Sequence, residues 1–423
     1  MAGLLFVHYH IAYENKSSAN SFSSEDYFFL GLNAWKSGDY RNAYSFWETA
    51  SSSGDPDAQY NLAVIHESGY GKEKDLETAI KLYSLAAQYN FPEASIRLAK
   101  IKKSYPDIKI SIKDIRVLLE KSARSGFKNA QFELAQSFNT QMKNDKNYSQ
   151  AVFWYRSAAL NGHTAAQYNL ALMLDRGIGT PIDHVEAHKW YLSAAKSGSS
   201  AAQNNLGYQF ERGLGVEHNL DKAREWYQLS AKSGYKLGQR NLAIINHHGY
   251  GGNRNLPNAL KWYRKAAYQG DQTSQIQLAL MLFNGLGEQR NIIESMSWMI
   301  VSEKISKTPE IISTKQIISS YLTKEELTYA ESRSNELIQL IRNKKTQKKK
   351  NNIKPLSPDI LLNSVMTTQR YLKSLELYKG KVDGIMGPET ADSILKFQKS
   401  NGLNQTKSID TNLIKSLKVK LKY

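Results

Sequence analysis

The residue types that carry out most hydrolytic chemistry are scarce in this chain of 423 residues. Cysteine is absent, which excludes thiol nucleophiles, thiolate metal sites and structural disulfides. The sequence has no HExxH motif, so a zinc-peptidase helix is excluded as well. His184 and His188 are four residues apart and would share one face of a helix. No third ligand accompanies them, and we expect no metal site there.

Two further motifs resemble a catalytic pair and a nucleotide-binding loop. Both occur at positions that recur in a repeat, which favours a structural role. Glu294-Ser295 resembles the Glu-Ser pair of lytic transglycosylases, but it stands in the same register of a 36-residue repeat as Glu186-Ala187. Gly-x-Gly pairs follow helical patterns rather than strands, so they do not form a nucleotide-binding fingerprint. We therefore predict a protein that is not an enzyme and that needs no cofactor.

Positive charge is concentrated in the last fifth of the chain. The formal net charge is +17, and residues 342–423 contain 18 Lys and Arg against 6 Asp and Glu. Residues 1–341 contain 38 basic and 33 acidic side chains, so this longer part is nearly neutral. We expect an anionic partner to be attracted to the C-terminal segment.

Residues 1–24 are predicted to be a leader segment. A short apolar stretch from Ala2 to Val7 has no basic residue before it, and His8 and His10 interrupt it. This pattern is atypical of a secretory signal. Two alternatives stay open: a disordered leader, or the remainder of a longer signal or anchor segment. Elsewhere no run of about 18 apolar residues predicts an ordinary transmembrane helix.

A 36-residue period dominates the next part of the chain. "AQYNLAVIHESGYG" at Ala58 aligns with "AQYNLALMLDRGIG" at Ala166 and "AQNNLGYQFERGLG" at Ala202. Seven successive units keep one leucine: Leu62, Leu98, Leu134, Leu170, Leu206, Leu242 and Leu278. Five units keep one tryptophan: Trp154, Trp190, Trp226, Trp262 and Trp298. Apolar residues spaced three and four apart, with glycines between the halves, predict a helix hairpin in each unit.

These units closely resemble the Sel-one-like repeat (SLR), a relative of the tetratricopeptide repeat. The resemblance implies an all-α solenoid of helix hairpins that binds a protein partner. We place it at residues 25–342, with a capping helix in which Thr323 is the N-cap and Glu326 follows three residues later. The unit at Ala94 is degenerate, because "KKSYPDIKIS" lacks the glycine pair. We expect the tryptophans to pack between repeats, with a ligand groove as the alternative.

Residues 343–356, "NKKTQKKKNNIKPL", combine lysines with Asn and Pro and show no apolar periodicity. This composition predicts a solvated basic linker. A nucleic-acid patch is the sharper alternative. Interleaved aromatic residues and arginines are absent from the segment, so nucleic acid is not an expected partner.

Residues 357–423 predict a module of three helices. Ser357-Pro358 would begin the first helix, Pro388 the second with Gly402 as its stop, and Asp410 would cap the third. Gln369, "VDGIMGPET" at 382–390 and "FQKSNGL" at 397–403 resemble the three-helix type of peptidoglycan-binding domain. That resemblance implies peptidoglycan as a ligand, through its stem peptide or its glycan.

The loop of this module is rich in glycine. Gly380, Gly384 and Gly387 would let the backbone fold back over the second helix and leave free amides near Pro388–Thr390, which suit a carboxylate or acyl group. Asp383 has an alternative role, in which its side chain only closes its own turn. The residues that we expect to contact peptidoglycan are Tyr378, Asp383, Gly384, Gly387, Thr390 and Gln398.

The resemblances together predict a non-catalytic scaffold in the periplasm or cell envelope of a bacterium. Its solenoid would bind an unidentified protein, and its C-terminal module would anchor it to peptidoglycan during cell-wall organisation or polar localisation. The alternative is a cytoplasmic signalling scaffold whose basic C-terminal bundle binds protein or nucleic acid.

Overall fold

The structure is a computed structural model, which describes residues 22–89, 91–140, 145–352, 365–379 and 388–403, with residues 405, 413, 416, 417 and 420. All regular elements among these residues are helices, as predicted. The chain divides into two compact units. One comprises Met1–Leu134 with Pro355–Tyr423, and the other comprises Ala135–Lys354.

The helices of the described residues are numbered here in chain order. The first ten are α1 (Ser24–Lys36), α2 (Tyr40–Ser52), α3 (Pro56–Ser68), α4 (Leu76–Gln88), α5 (Pro92–Ser104), α6 (Ile112–Arg124), α7 (Lys128–Thr140), α8 (Asp145–Leu160), α9 (Thr164–Arg176) and α10 (His184–Lys196). The next ten are α11 (Ser200–Arg212), α12 (Leu220–Lys232), α13 (Lys236–His248), α14 (Leu256–Ala267), α15 (Gln272–Asn284), α16 (Ile292–Glu303), α17 (Pro309–Ser319), α18 (Lys324–Asn352), α19 (Val365–Ser374) and α20 (Pro388–Ser400).

Each repeat forms a hairpin whose ends are set by local capping. The first helix ends at a glycine in the left-handed conformation: Gly69, Gly177, Gly213, Gly249 and Gly285. The second helix begins after a side chain that accepts a hydrogen bond from its third backbone amide: Asp75, Asp183, Asn219, Asn255 and Asn291. Both devices satisfy backbone groups that a helix end leaves unpaired. In the degenerate unit, α5 ends at Tyr105 without a glycine.

The second glycine of each pair lies against the preceding repeat. Gly215 has a φ of +69°, and a Cβ placed on it would lie 2.3 Å from the backbone oxygen of His184. Gly251 repeats this contact, with the backbone oxygen of Leu220 at 2.4 Å from the same hypothetical atom. Only glycine fits such an approach. The pair therefore serves both the turn and the spacing between hairpins.

In the four repeats that have a Trp-Tyr pair, the tyrosine is the more deeply buried of the two aromatic residues. Four tyrosines in register are at most 1% exposed: Tyr155, Tyr191, Tyr227 and Tyr263. Trp154, Trp262 and Trp298 are buried, in agreement with the packing role predicted for the tryptophans. Trp190 and Trp226 are only half-buried. In these four repeats the ring that follows the tryptophan fills the core, whereas in the last unit Trp298 itself is fully buried.

The predicted capping helix is confirmed, and it extends beyond the expected boundary. The Thr323 amide donates to Glu326 Oε2 over 2.8 Å, and the Glu326 amide donates to Thr323 Oγ1 over 3.3 Å, which is a capping box. Helix α18 then runs to Asn352, so part of the segment 343–356 that we predicted to be a solvated basic linker is helical. Lysine and glutamine propagate a helix that is already nucleated, which accounts for the difference.

The C-terminal domain is described around α19 and α20. Helix α20 begins at Pro388, and Gly402 follows it with a φ of +65°, as predicted. Five apolar side chains of this domain are at most 1% exposed: Leu372, Ile394, Phe397, Leu413 and Leu417. The predicted start at Ser357-Pro358 and the predicted cap at Asp410 lie outside the described residues.

Candidate binding site

A buried amide joins the parts of the C-terminal domain that flank the glycine-rich loop. Gln369 of α19 donates from Nε2 to Tyr378 Oη over 3.2 Å and to Thr390 Oγ1 over 2.9 Å. Gln369 is 0% exposed, Thr390 1% and Tyr378 5%. The network thus connects α19, the turn after it and the first turn of α20. A buried amide that is paired in this way holds the two ends of the loop in place.

The six residues predicted to contact peptidoglycan fall into two groups. Tyr378, Thr390 and Gln398 lie in the interior of the domain, and Gln398 is 1% exposed. The backbone oxygen of Gln398 accepts the Leu403 amide over 2.9 Å, which closes the end of α20. The other group is Asp383, Gly384 and Gly387, which lie outside the described residues.

The structure brings Tyr378 and Thr390 together, but it does so through Gln369. From the sequence, Gln369 was predicted only as a marker of the domain and had no assigned role. A signal was present, because Gln369 is a polar residue next to apolar positions of an amphipathic helix. The assignment of the six residues as ligand contacts remains a prediction.

The Glu-Ser pair in the repeats is part of a structural network. Glu294 Oε1 accepts a hydrogen bond from Trp298 Nε1 over 3.0 Å, and its Oε2 lies 3.3 Å from Arg333 Nε of the capping helix. Glu186 has the same arrangement, since Trp190 Nε1 donates to it over 3.0 Å and Arg156 forms an ion pair with it. The hydrogen bond from Arg156 lowers the pKa of Glu186. A carboxylate kept ionised in this way is poorly suited to act as a general acid.

The two histidines of α10 have separate partners. His184 Nδ1 lies 2.8 Å from Asp175 Oδ1, whereas His188 Nδ1 lies 3.1 Å from Gln209 Oε1. Burial lowers the pKa of His188. In the part of the chain that the structure describes, no group of three or more His, Asp or Glu side chains is arranged to hold a metal ion.

A cleft of about 410 Å³ opens along α11 and α13, which are the first helices of two successive repeats and pack against each other. Its lining residues are Tyr208, Glu211, Arg212, Tyr227, Arg240, Asn241, Ile244, His248 and Tyr250. This cleft was not predicted from the sequence. The available signal was the row of first-helix positions that the repeat does not use for packing, such as Tyr208, which is 43% exposed.

None of the helices in the described part of the chain combines the length and the apolar character needed to span a membrane.

Comparison with known families identifies both parts of the chain. Residues 56–88, 129–163, 164–199, 200–235, 236–271 and 273–300 match the family described as "Sel1 repeat". The degenerate unit at Ala94 falls between the first two matched segments. Residues 362–417 match the family described as "Putative peptidoglycan binding domain". No curated protein matches the chain at a significant level.

Solved structures show the same fold. The protein c5321, a protective antigen present in uropathogenic Escherichia coli strains and displaying an SLR fold, is 27% identical over 79% of this chain and 72% of its own, with a TM-score of 0.67. A Sel1 repeat protein from Oxalobacter formigenes is 23% identical over 74% of this chain and 91% of its own, with a TM-score of 0.62. The second likeness concerns the fold alone. The chain is therefore a Sel1-repeat protein in which residues 362–417 form a domain of the peptidoglycan-binding family.

Proposed function

We propose that the protein is a non-catalytic scaffold of the bacterial cell envelope, which binds peptidoglycan through its C-terminal domain and a protein partner through its repeats. The observation that carries the proposal is the presence of both families in one chain. The proposal includes a periplasmic location and a role in cell-wall organisation or polar localisation, and the location is supported by the expected ligand, because peptidoglycan lies in the envelope.

Charge and architecture support the binding of peptidoglycan by the C-terminal domain, which is called the peptidoglycan arm of the proposal. The segment that contains this domain carries 18 basic against 6 acidic side chains, and peptidoglycan stem peptides end in carboxylates. Opposite charges raise the rate of encounter. The buried Gln369 network supports the two ends of the glycine-rich loop, where a carboxylate would meet backbone amides at the start of α20.

Features of the repeats support the binding of a protein partner, which is called the protein-binding arm of the proposal. Stacked helix hairpins expose a continuous surface that no single repeat covers, and solenoids use such surfaces to bind extended partners. The side chains considered as candidates for catalysis or metal binding all have structural partners within the repeats: Glu186, Glu294 and His184. Their engagement supports a scaffold rather than a hydrolase.

Co-sedimentation with purified sacculi tests the peptidoglycan arm. We expect the full chain to sediment with sacculi and a chain that ends at Asn352 to remain in the supernatant. Cellulose serves as an insoluble polysaccharide control. A full chain that stays in the supernatant, or that sediments equally with cellulose, contradicts the proposal. Retention on nucleic acid but not on sacculi would instead favour the cytoplasmic scaffold.

A further inference from the structure

We propose that the cleft along α11 and α13 binds an extended, acidic peptide segment of the protein partner. This inference rests on the proposed function, because it specifies the ligand class of the protein-binding arm. It depends on four features of the cleft: cationic groups with donors to spare, an exposed aromatic wall, an amide beside it and a row of apolar side chains in repeat register.

The two arginines of the cleft are only weakly engaged with acidic groups. Arg240 Nη1 lies 3.4 Å from Asp271 Oδ2, while Asp271 Oδ1 already accepts the Ser274 amide as the cap of α15. Arg212 Nε lies 3.8 Å from Glu211 Oε1, beyond hydrogen-bond distance. A guanidinium has five donors, and its planar fork matches a carboxylate. Most of these donors remain available to a ligand.

The acidic side chain in the lining of the cleft is already occupied. Tyr227 Oη donates to Glu211 Oε2 over 2.7 Å. Glu211 keeps its negative charge, so Arg212 and Arg240 give the residues that line the cleft a formal net charge of +1, and His248 is exposed at the same cleft. The cleft is therefore complementary to a negatively charged group.

The walls of the cleft suit a polypeptide. Tyr208 is 43% exposed, and the Arg212 guanidinium lies 5.8 Å from its ring centroid. Asn241 Nδ2 donates to Asn204 Oδ1 over 3.0 Å, an orientation that leaves the Asn241 carbonyl to accept a peptide N–H. An aromatic face and a side-chain amide provide the apolar and backbone contacts that an extended chain needs.

The cleft belongs to a row of side chains in repeat register. The same position of four successive first helices holds Leu172, Tyr208, Ile244 and Leu280, and none of the four is buried. Packed helices lie about 8–10 Å apart, and an extended chain rises about 3.3 Å per residue. About three peptide residues would therefore span one repeat, and about nine would span the row.

Positive charge along this row is greatest at the cleft. In the preceding repeat the positions of Arg212 and Arg240 hold Arg176 and Asn204, and in the following repeat they hold His248 and Ile276. Among these three equivalent pairs of positions, only the pair in the cleft consists of two arginines. We therefore expect the acidic residue of the peptide to lie there, with apolar residues on either side. A nucleic acid would need a longer basic track than this one.

The test uses the full chain and a library of random nine-residue peptides, acetylated and amidated at their ends. We expect the retained peptides to be enriched in Asp and Glu over the input. Fluorescence anisotropy with the strongest binder then compares variants. Arg212→Gln combined with Arg240→Gln should weaken binding by about tenfold or more, since charge-assisted hydrogen bonds are lost. Thermal unfolding confirms that this variant remains folded.

A charge-matched control distinguishes peptide binding in the cleft from general attraction to the positive charge of the surface. Lys196→Gln combined with Lys232→Gln removes two exposed charges from the second helices α10 and α12, and it should leave peptide affinity unchanged. Retained peptides without acidic enrichment, equal affinity in the arginine variant, or an equal loss in the lysine control would each overturn the inference. Sacculus binding by the arginine variant should match that of the unmodified chain. A failure of the peptidoglycan arm can therefore be distinguished from a failure of peptide binding in the cleft.

Discussion

Gln369 illustrates how much a single buried side chain can decide in this protein. Its amide is fully buried and donates to hydroxyl groups of Tyr378 and Thr390. An amide left unpaired in an apolar interior costs about 1–3 kcal/mol, so the two hydroxyls stabilise the fold of the domain. The polar residues that were predicted to contact the ligand therefore contribute first to the interior of the domain.

Replacing Thr390 with Val keeps the shape of the side chain and removes the hydroxyl that accepts from Gln369. We expect Thr390→Val to destabilise the C-terminal domain by about 1–3 kcal/mol. Faster hydrogen exchange in α19 and α20 of the full chain would measure this loss, and the exposed Lys399→Gln is the control. Unchanged exchange together with lost sacculus binding would contradict the framework role and return Thr390 to the ligand site.

Glu93 makes the stability of the repeats depend on pH. Burial is the main cause that raises its pKa to about 7, the nearby Asp57 carboxylate contributes to the same rise, and among the described residues no hydrogen bond reaches its buried Oε2. The folded state therefore holds a proton that the unfolded chain releases at lower pH. This sign means that stability falls as pH rises from the ordinary carboxyl range through about 7.

Glu93→Gln keeps the shape and removes the ionisable group. We expect the variant to unfold at a higher temperature than the unmodified chain at about pH 8, and the difference to vanish at about pH 4. Thermal unfolding followed by circular dichroism checks this. Glu77→Gln, at an exposed position, should leave the melting temperature unchanged at both pH values. A lower melting temperature for Glu93→Gln at the higher pH would contradict the assignment.

At the scale of the element, the turn inside each hairpin has two glycines with different tasks. The first ends a helix, and the second allows the backbone of the preceding repeat to come close. A third glycine, such as Gly234 after α12, also has a positive φ, but a Cβ there would meet no atom within 4 Å. Backbone strain and steric contact can therefore be measured separately.

Gly215→Ala should destabilise the repeats more than Gly234→Ala. Both variants place a Cβ at positive φ, which costs about 1–2 kcal/mol. At Gly215 the added atom also meets the His184 carbonyl, which belongs to the backbone and cannot rotate away, so we expect a further cost of about 1–3 kcal/mol. Chemical denaturation measures both. Equal losses would mean that the second glycine serves the turn alone.

At the scale of the whole molecule, the two families divide the charge between them. The repeats are nearly neutral, and the strongly basic segment begins within α18 and continues through the peptidoglycan-binding domain. Long-range attraction to an anionic polymer and specific recognition by the domain are thus two separable contributions to sacculus binding. Salt distinguishes them, because it screens exposed charges much more than it weakens a fitted site.

Changing Lys344, Lys345, Lys348, Lys349 and Lys350 to Gln should reduce sacculus binding at about 0.01 M salt and have little effect at about 1 M, where screening is nearly complete. Co-sedimentation at both salt concentrations checks this. The matched control changes five exposed lysines of the repeats to Gln: Lys113, Lys189, Lys196, Lys232 and Lys261. Complete loss of binding at both salt concentrations would mean that the charged segment, and not the domain, binds the wall.

The 36-residue pattern by itself was enough to predict the helix hairpins and their turns, and the spacing of Thr323 and Glu326 was enough to predict the capping helix. Caps such as Asn219 and glycines such as Gly213 act on backbone groups within a few residues, so their meaning can be read locally. The degenerate unit at Ala94 was also recognisable, because the residues that its turn lacks are local ones. The order of residues in the C-terminal domain was constrained enough to identify its family.

Only the tertiary structure decided which side chains meet. Thr390 reaches Gln369 from a position 21 residues away, and Arg212 and Arg240 line one cleft from two different helices. Whether tyrosine or tryptophan fills the core depends likewise on how neighbouring hairpins pack. Helical spacing gives the face on which a side chain lies, but the partner across that face is set by packing between elements distant in sequence.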